Sequence, residues 1–254
     1  MNRILFERTE ITAEGRVTFG GVRADHVARV LHGAVGQTLK TGEINGKIGT
    51  GVIEEISGEP APAGGDPESA SLRITARVVH DETAMPPWCD LLLAPPRPRA
   101  FKRLLPQLTQ MGVRRILLIG AAKVEKAFWG AQVLKPEIYR PLLIDGLMQA
   151  GTTALPEIVQ IRNFRHYLEK DLERDYAGVP RILAHPGENH GKESLTMENS
   201  EILLAIGPEG GWTDEELSLL EQHRFLRYSL GPRILRTDTA AIALMARFMP
   251  GLMH

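Results

Sequence analysis

The sequence predicts an α/β protein of two domains, a β-rich domain over residues 1–84 and a mainly parallel sheet covered by helices over 85–254. Three observations predict it. Apolar/polar alternation between glycine turns fills the first third, as in half-buried strands. From residue 90 onward, apolar runs of strand length alternate with helical-period segments. Near the C-terminus, two apolar runs each stop at Gly-Pro and re-enter a helix.

In the first domain, strands are expected at 3–7, 16–19, 37–41, 47–56 and 71–80. The stretch DHVARVL places Val27, Val30 and Leu31 on one helical face, with Asp25 as a candidate cap. The Pro/Gly/acidic run at 57–70 is a connecting loop. After the linker TAMPPW, the second domain reads strand 90–94, helix 100–111, strand 115–120, helix 136–150, strand 157–161, helix 164–174, strand 181–185 and strand 202–206. No GxGxxG follows its early strands, which argues against a nicotinamide-binding domain.

With 254 residues, 43% of them hydrophobic and 24% charged, the chain can bury one or two sizeable cores. It has no apolar run of membrane-spanning length, and acidic residues stand in MNRILFERTE where a signal peptide would be basic and then apolar, so cytoplasmic residence is expected. The single cysteine, Cys89, cannot form an intrachain disulfide, and no Cys/His spacing suits zinc, so no metal is expected. His185 and His190 lack ligand-spaced companions and read as loop histidines. Net charge is -1, but its distribution is uneven: residues 1–84 hold 9 Lys+Arg against 12 Asp+Glu, and residues 97–126 hold 8 against 1. Those cations are Arg97, Arg99, Lys102, Arg103, Arg114, Arg115, Lys123 and Lys126. They are either a phosphate-attracting footprint or the solvated face of a helix and loops.

The first corner, ILLAIGPEGGWTDEEL, carries a capping box, Thr213 with Glu216, for a helix starting at Asp214, and Trp212 with Leu217 fits a hydrophobic staple. Gly207, Gly210 and Gly211 permit positive φ angles and close backbone approach. The second corner, YSLGPRILRTDTAAIALMA, offers Thr237 or Thr239 as a cap, and its helix is apolar almost all round, as if covered on both sides. Arg236 stands where the helix dipole disfavours a cation; either Asp238 or an anionic ligand offsets this.

IGPEGGWTDEE followed by LGPRILRTDTA resembles the two C-terminal signatures of the RsmE-like family, methyltransferases of the SPOUT class that modify a uridine of small-subunit ribosomal RNA. The resemblance implies a SPOUT-type α/β domain whose trefoil knot holds S-adenosylmethionine, preceded by a small PUA-like β-barrel that binds RNA. It implies methylation of N3 of a uridine in 16S ribosomal RNA by a cytoplasmic homodimer, with ribosomal RNA or the small subunit as partner and neither DNA nor membrane involved. Carried onto this sequence, the cofactor pocket comprises Ala184, His185, Pro186, Ile206, Gly207, Pro208, Glu209, Gly210, Gly211, Leu230, Gly231, Ile234, Leu235, Arg236 and Thr237. Arg236 is the candidate to stabilise the uridine anion, and Glu209 is a candidate proton acceptor. In the first domain the resemblance rests on Arg3 in the opening strand and on HVARVL, which matches a His-x-x-Arg-Val-Leu-like run of the family except that His32 stands where an arginine follows. Arg3, His26 and Arg29 are candidate RNA contacts, with a half-buried helix and a solvated arginine as the alternative for His26 and Arg29.

The likeness thins at PQLTQMGV, GAAKVEK and MQAGTTALP, where the family shows other residues, and Thr152, Thr153 and Ala154 stand where arginines are expected. Lys123 and Lys126 are candidates to replace them. The cofactor half of the site therefore matches better than the substrate half. The same chemistry on a different RNA, or a non-catalytic knotted RNA-binding or ribosome-assembly protein, stays open, as does an enzyme binding an anionic nucleotide at 207–213.

Overall fold

A computed structural model describes residues 3–62, 64–187 and 201–250. They divide into two compact units, one of Met1–Met85 with Leu147–Ala154, the other of Pro86–Gly146 with Leu155–His254.

The first unit is a five-stranded sheet of β1 (Ile4–Phe6), β2 (Arg16–Phe19), β3 (Thr38–Glu43), β4 (Ile48–Ser57) and β5 (Arg73–Glu82), ordered β1-β3-β4-β5-β2. The β1–β3 pairing is parallel and the others antiparallel. Alternation predicts the inner face: Val17 and Phe19, Ile53, and Ile74, Ala76 and Val78 are buried on a core closed by α1 (Gly21–Arg29) through Ala24 and Val27. The N-cap of α1 is Gly20, five residues before the expected Asp25, and Asp25 instead pairs with Arg29 one turn on. The order puts β1 and β2 at opposite edges of an open sheet.

The second unit is a six-stranded sheet of β6 (Cys89–Leu93), β7 (Val113–Ile119), β8 (Glu157–Ile161), β9 (Arg181–Ala184), β10 (Ile202–Ile206) and β11 (Leu226–Tyr228). Its order is β11-β9-β10-β6-β7-β8 and every pairing is parallel. Central β10 is buried throughout, as expected of a strand covered on both faces. One face packs on α2 (Pro98–Gln110), α3 (Pro136–Ala150) and α7 (Thr237–Phe248), and the other on α4 (Phe164–Lys170), α5 (Leu172–Tyr176) and α6 (Asp214–Gln222). The single helix expected over 164–174 is two, broken at Asp171, whose φ of -112° departs from helical geometry.

Helix α6 begins where its capping box predicts. Thr213 Oγ1 accepts the Glu216 N–H at 3.2 Å, and Glu216 Oε2 accepts the Thr213 N–H at 2.9 Å. Trp212 and Leu217 are buried in one cluster, as a staple requires. Thr213→Ala is expected to lower stability by about 1 kcal/mol, read as a shift in the urea midpoint with unchanged slope.

Candidate active site

The ends of β9, β10 and β11 open onto one cavity of about 330 Å³. Its lining includes Ala184, His185 and Pro186 after β9; Ile206, Gly207, Pro208, Glu209, Gly210, Gly211 and Trp212 after β10; and Tyr228, Leu230, Gly231, Arg233, Ile234 and Leu235 from β11 onward. Thr237 and Ala240 of α7 complete it. Ligands bind at this edge of parallel sheets because the loops leave the strands there, and the volume lies in the range of small-molecule sites.

Of the residues expected to form the pocket, all but Arg236 line this cavity. Arg236 is the exposed N-cap of α7 and has no ion pair among the described residues, so Asp238 does not offset it; Asp238 instead accepts the N–H of Thr239. Neither Thr237 nor Thr239 caps α7 with its side chain. Thr237, 4% exposed, donates its hydroxyl to the Gly207 carbonyl at 3.1 Å and so ties the two corners together. Sequence reasoning missed Tyr228, Arg233 and Ala240 as lining residues. Each lies within a few positions of one that was named, and the signal available was proximity alone. Trp212, which the sequence marks only as a staple, also lines the cavity. His190 lies outside the described residues.

Glycine acts at two points. Gly207 admits the Trp212 indole, since a Cβ there would lie 2.8 Å from Nε1, and Gly211 alone of the three loop glycines has positive φ, at 71°. The wall keeps polar groups in reserve. Trp212 Nε1 is buried without a hydrogen-bond partner, and the main-chain N–H groups of Ile234 and Leu235 make no hydrogen bond among the described residues. Apolar walls with a few uncommitted main-chain donors fit the adenosine part of S-adenosylmethionine.

The cations of the basic segment differ in their surroundings. Asp90, 1% exposed, accepts Arg114 Nε and Nη2, each at 2.9 Å, Arg115 Nε at 2.8 Å and the Tyr176 hydroxyl at 2.6 Å. Burial alone would raise the Asp90 pKa; the bonds from Arg114, Tyr176 and Arg115 outweigh it and hold the carboxyl below its usual value. Arg114 also pairs with Glu201. Arg99, Lys102, Arg103 and Lys126 are exposed, Arg97 is exposed beside Glu125 at 3.6 Å, and Lys123 donates to Gly210. In the first unit, Arg3 is engaged with the carbonyls of Thr41, Gly49 and Gly151, and Arg29 with Asp25 and the Ala61 carbonyl, while His26 Nε2 is buried without a partner. Among the described residues, no three His, Cys, Asp or Glu side chains gather to hold a metal, and no helix is long and apolar enough to cross a membrane.

A parallel sheet with a glycine-walled cavity at the ends of its strands defines an α/β protein with a site of small-molecule size. The chain belongs to the RNA methyltransferase domain family, whose model matches residues 83–249. It is 29% identical to the ribosomal RNA small subunit methyltransferase E of Treponema pallidum, over 97% of this chain and 90% of that one. Two solved structures share the fold. One is a Legionella pneumophila protein in complex with SAM, 22% identical with TM-score 0.74, covering 98% of this chain and 97% of that one. The other is a ribosomal RNA small subunit methyltransferase E of Neisseria gonorrhoeae bound to S-adenosyl methionine, 19% identical with TM-score 0.72, covering 97% and 96%.

Proposed function

We propose that the chain is an S-adenosylmethionine-dependent methyltransferase acting on N3 of a uridine in 16S ribosomal RNA. The observation that carries this reading is the cavity itself: it is assembled from the two corner motifs that mark the family, with main-chain donors and apolar walls in reserve. When bound, S-adenosylmethionine supplies a methyl group already activated on a sulfonium. Ile206, Leu230, Ile234 and Leu235 hold its apolar faces, the main chain of the second corner reads its polar edge, and the loop at 207–211 fixes its position. Positioning is much of catalysis for such a donor.

The uridine N3 proton must leave for nitrogen to become nucleophilic. Glu209, exposed at the cavity wall, accepts it, and Arg236, an uncommitted cation beside the cavity, stabilises the anion spread over the two carbonyl oxygens. Arg236→Ala is therefore expected to lower kcat by roughly 100-fold at saturating cofactor, with S-adenosylhomocysteine affinity unchanged. A fall in affinity with kcat intact would assign Arg236 to cofactor binding instead.

The same reading makes residues 1–84 a PUA-like RNA-binding barrel and residues 85–254 a knotted SPOUT domain of a cytoplasmic homodimer. The half-exposed Ile242, Ala243 and Ala246 on α7 support the dimer, and Ile234, 87% exposed, adds apolar surface nearby in sequence. The deciding experiment incubates the protein with small ribosomal subunits or free 16S RNA and methyl-labelled cofactor, then maps the modified base. Label on a uridine N3 is the expected result; incorporation elsewhere would keep the chemistry and change the substrate.

A further inference from the structure

We infer that Lys123 is a positioning residue of the cofactor cavity, its amine holding the glycine loop in the shape the cofactor requires. This rests on assigning the cavity to S-adenosylmethionine. Lys123 Nζ donates to the Gly210 carbonyl at 2.8 Å, and its stem lies along that glycine, where an added Cβ would sit 3.1 Å from Lys123 Cδ. The lysine is itself firmly presented. It sits in a turn closed by the Val124 N–H on the Ala121 carbonyl at 3.0 Å, with Ala121 buried and Val124 packed in the same cluster.

Glu216 joins that turn to the loop. Its Oε1 accepts the Ala122 N–H at 2.7 Å and its Oε2 the Thr213 N–H at 2.9 Å, so one carboxylate anchors both the segment that carries Lys123 and the end of the glycine loop. Thr237 fixes the loop's start at the Gly207 carbonyl. Between these anchors Glu209, Gly210 and Gly211 are exposed, and Lys123 is the side chain that holds their midpoint. A glycine loop without such a hold samples many conformations, and apparent affinity falls with the fraction that is competent to bind. A cation that the sequence groups with phosphate contacts thus serves the cofactor side of the site.

The test compares Lys123→Met, which keeps the stem and loses the donors, with Lys123→Arg, which keeps a cationic donor. The reporter amide is that of Gly211, which donates to the Pro208 carbonyl at 2.8 Å within the loop. In Lys123→Met, hydrogen exchange at Gly211 should quicken about tenfold and S-adenosylhomocysteine should bind about tenfold more weakly by calorimetry. Lys123→Arg should restore both to within about threefold, and all three proteins should melt together because Lys123 is exposed. Unchanged exchange and affinity in Lys123→Met would overturn the assignment, as would a loss of affinity that tracks a lowered melting temperature. Should the wild type bind no S-adenosylhomocysteine, the cofactor assignment fails by itself, and the exchange arm still decides whether Lys123 holds the loop.

Discussion

Asp90→Ala should destabilise the protein by about 3 kcal/mol. The carboxylate is buried at the start of β6 and accepts from two guanidinium groups and a phenol. Removing it leaves the Tyr176 hydroxyl buried without its acceptor, and leaves Arg115, on the ring of Tyr176, with no counter-charge among the described residues. Breaking a buried pair costs about 3–5 kcal/mol, and the low end applies because the Arg114 side chain is 37% exposed and keeps Glu201. Asp90→Asn retains one acceptor and should lose less. Urea unfolding of the three proteins measures the difference, and a loss below about 1 kcal/mol for the alanine would mean that water replaces the carboxylate.

The sign of the pH dependence follows from the depressed Asp90 carboxyl. Its folded-state pKa lies below the unfolded value of about 3.9, so its contribution is complete above that pH and disappears as pH falls through the folded value. The stability gap between wild type and Asp90→Asn should therefore be constant from neutral pH to about 5 and narrow below about 4.

This cluster also marks what the sequence could not reveal. Asp90 reads as one residue of an apolar strand, and Arg114 and Arg115 read as part of a basic run. Nothing local says that they meet, because Arg114 is 24 positions from Asp90 and Tyr176 is 86. The corners at β10 and α7 were legible for the opposite reason: Gly-Pro stops, a capping box and an apolar helix are determined within a few residues. Even there the second corner misled, since Thr237 has the chemistry of a cap and uses its hydroxyl on Gly207, 30 residues away. The parallel sheet was readable from alternation, but its order β11-β9-β10-β6-β7-β8 depends on long-range pairing that no periodicity encodes.

Filling the cavity from α7 should have the largest effect on binding. The sequence alone suggests Gly210→Arg as a probe of the pocket, but a Cβ on Gly210 points at the stem of Lys123, so that variant would disturb the loop as well as the space. Ala240 is the better position, because it lines the cavity from a regular helix and is only half-buried against the core. Phenylalanine there adds a ring to a cavity of about 330 Å³ whose walls are already packed elsewhere. S-adenosylhomocysteine affinity should fall at least about 100-fold, since ligand and ring compete for one volume. The fold should survive, with a melting temperature near that of the wild type, because the added atoms enter open space and the buried Ala241, Leu244, Met245 and Phe248 are untouched. Weakened binding with intact melting places the cofactor between the two corners, whereas unchanged affinity in a folded Ala240→Phe protein would move it out of this cavity and remove the main physical support for the proposed chemistry.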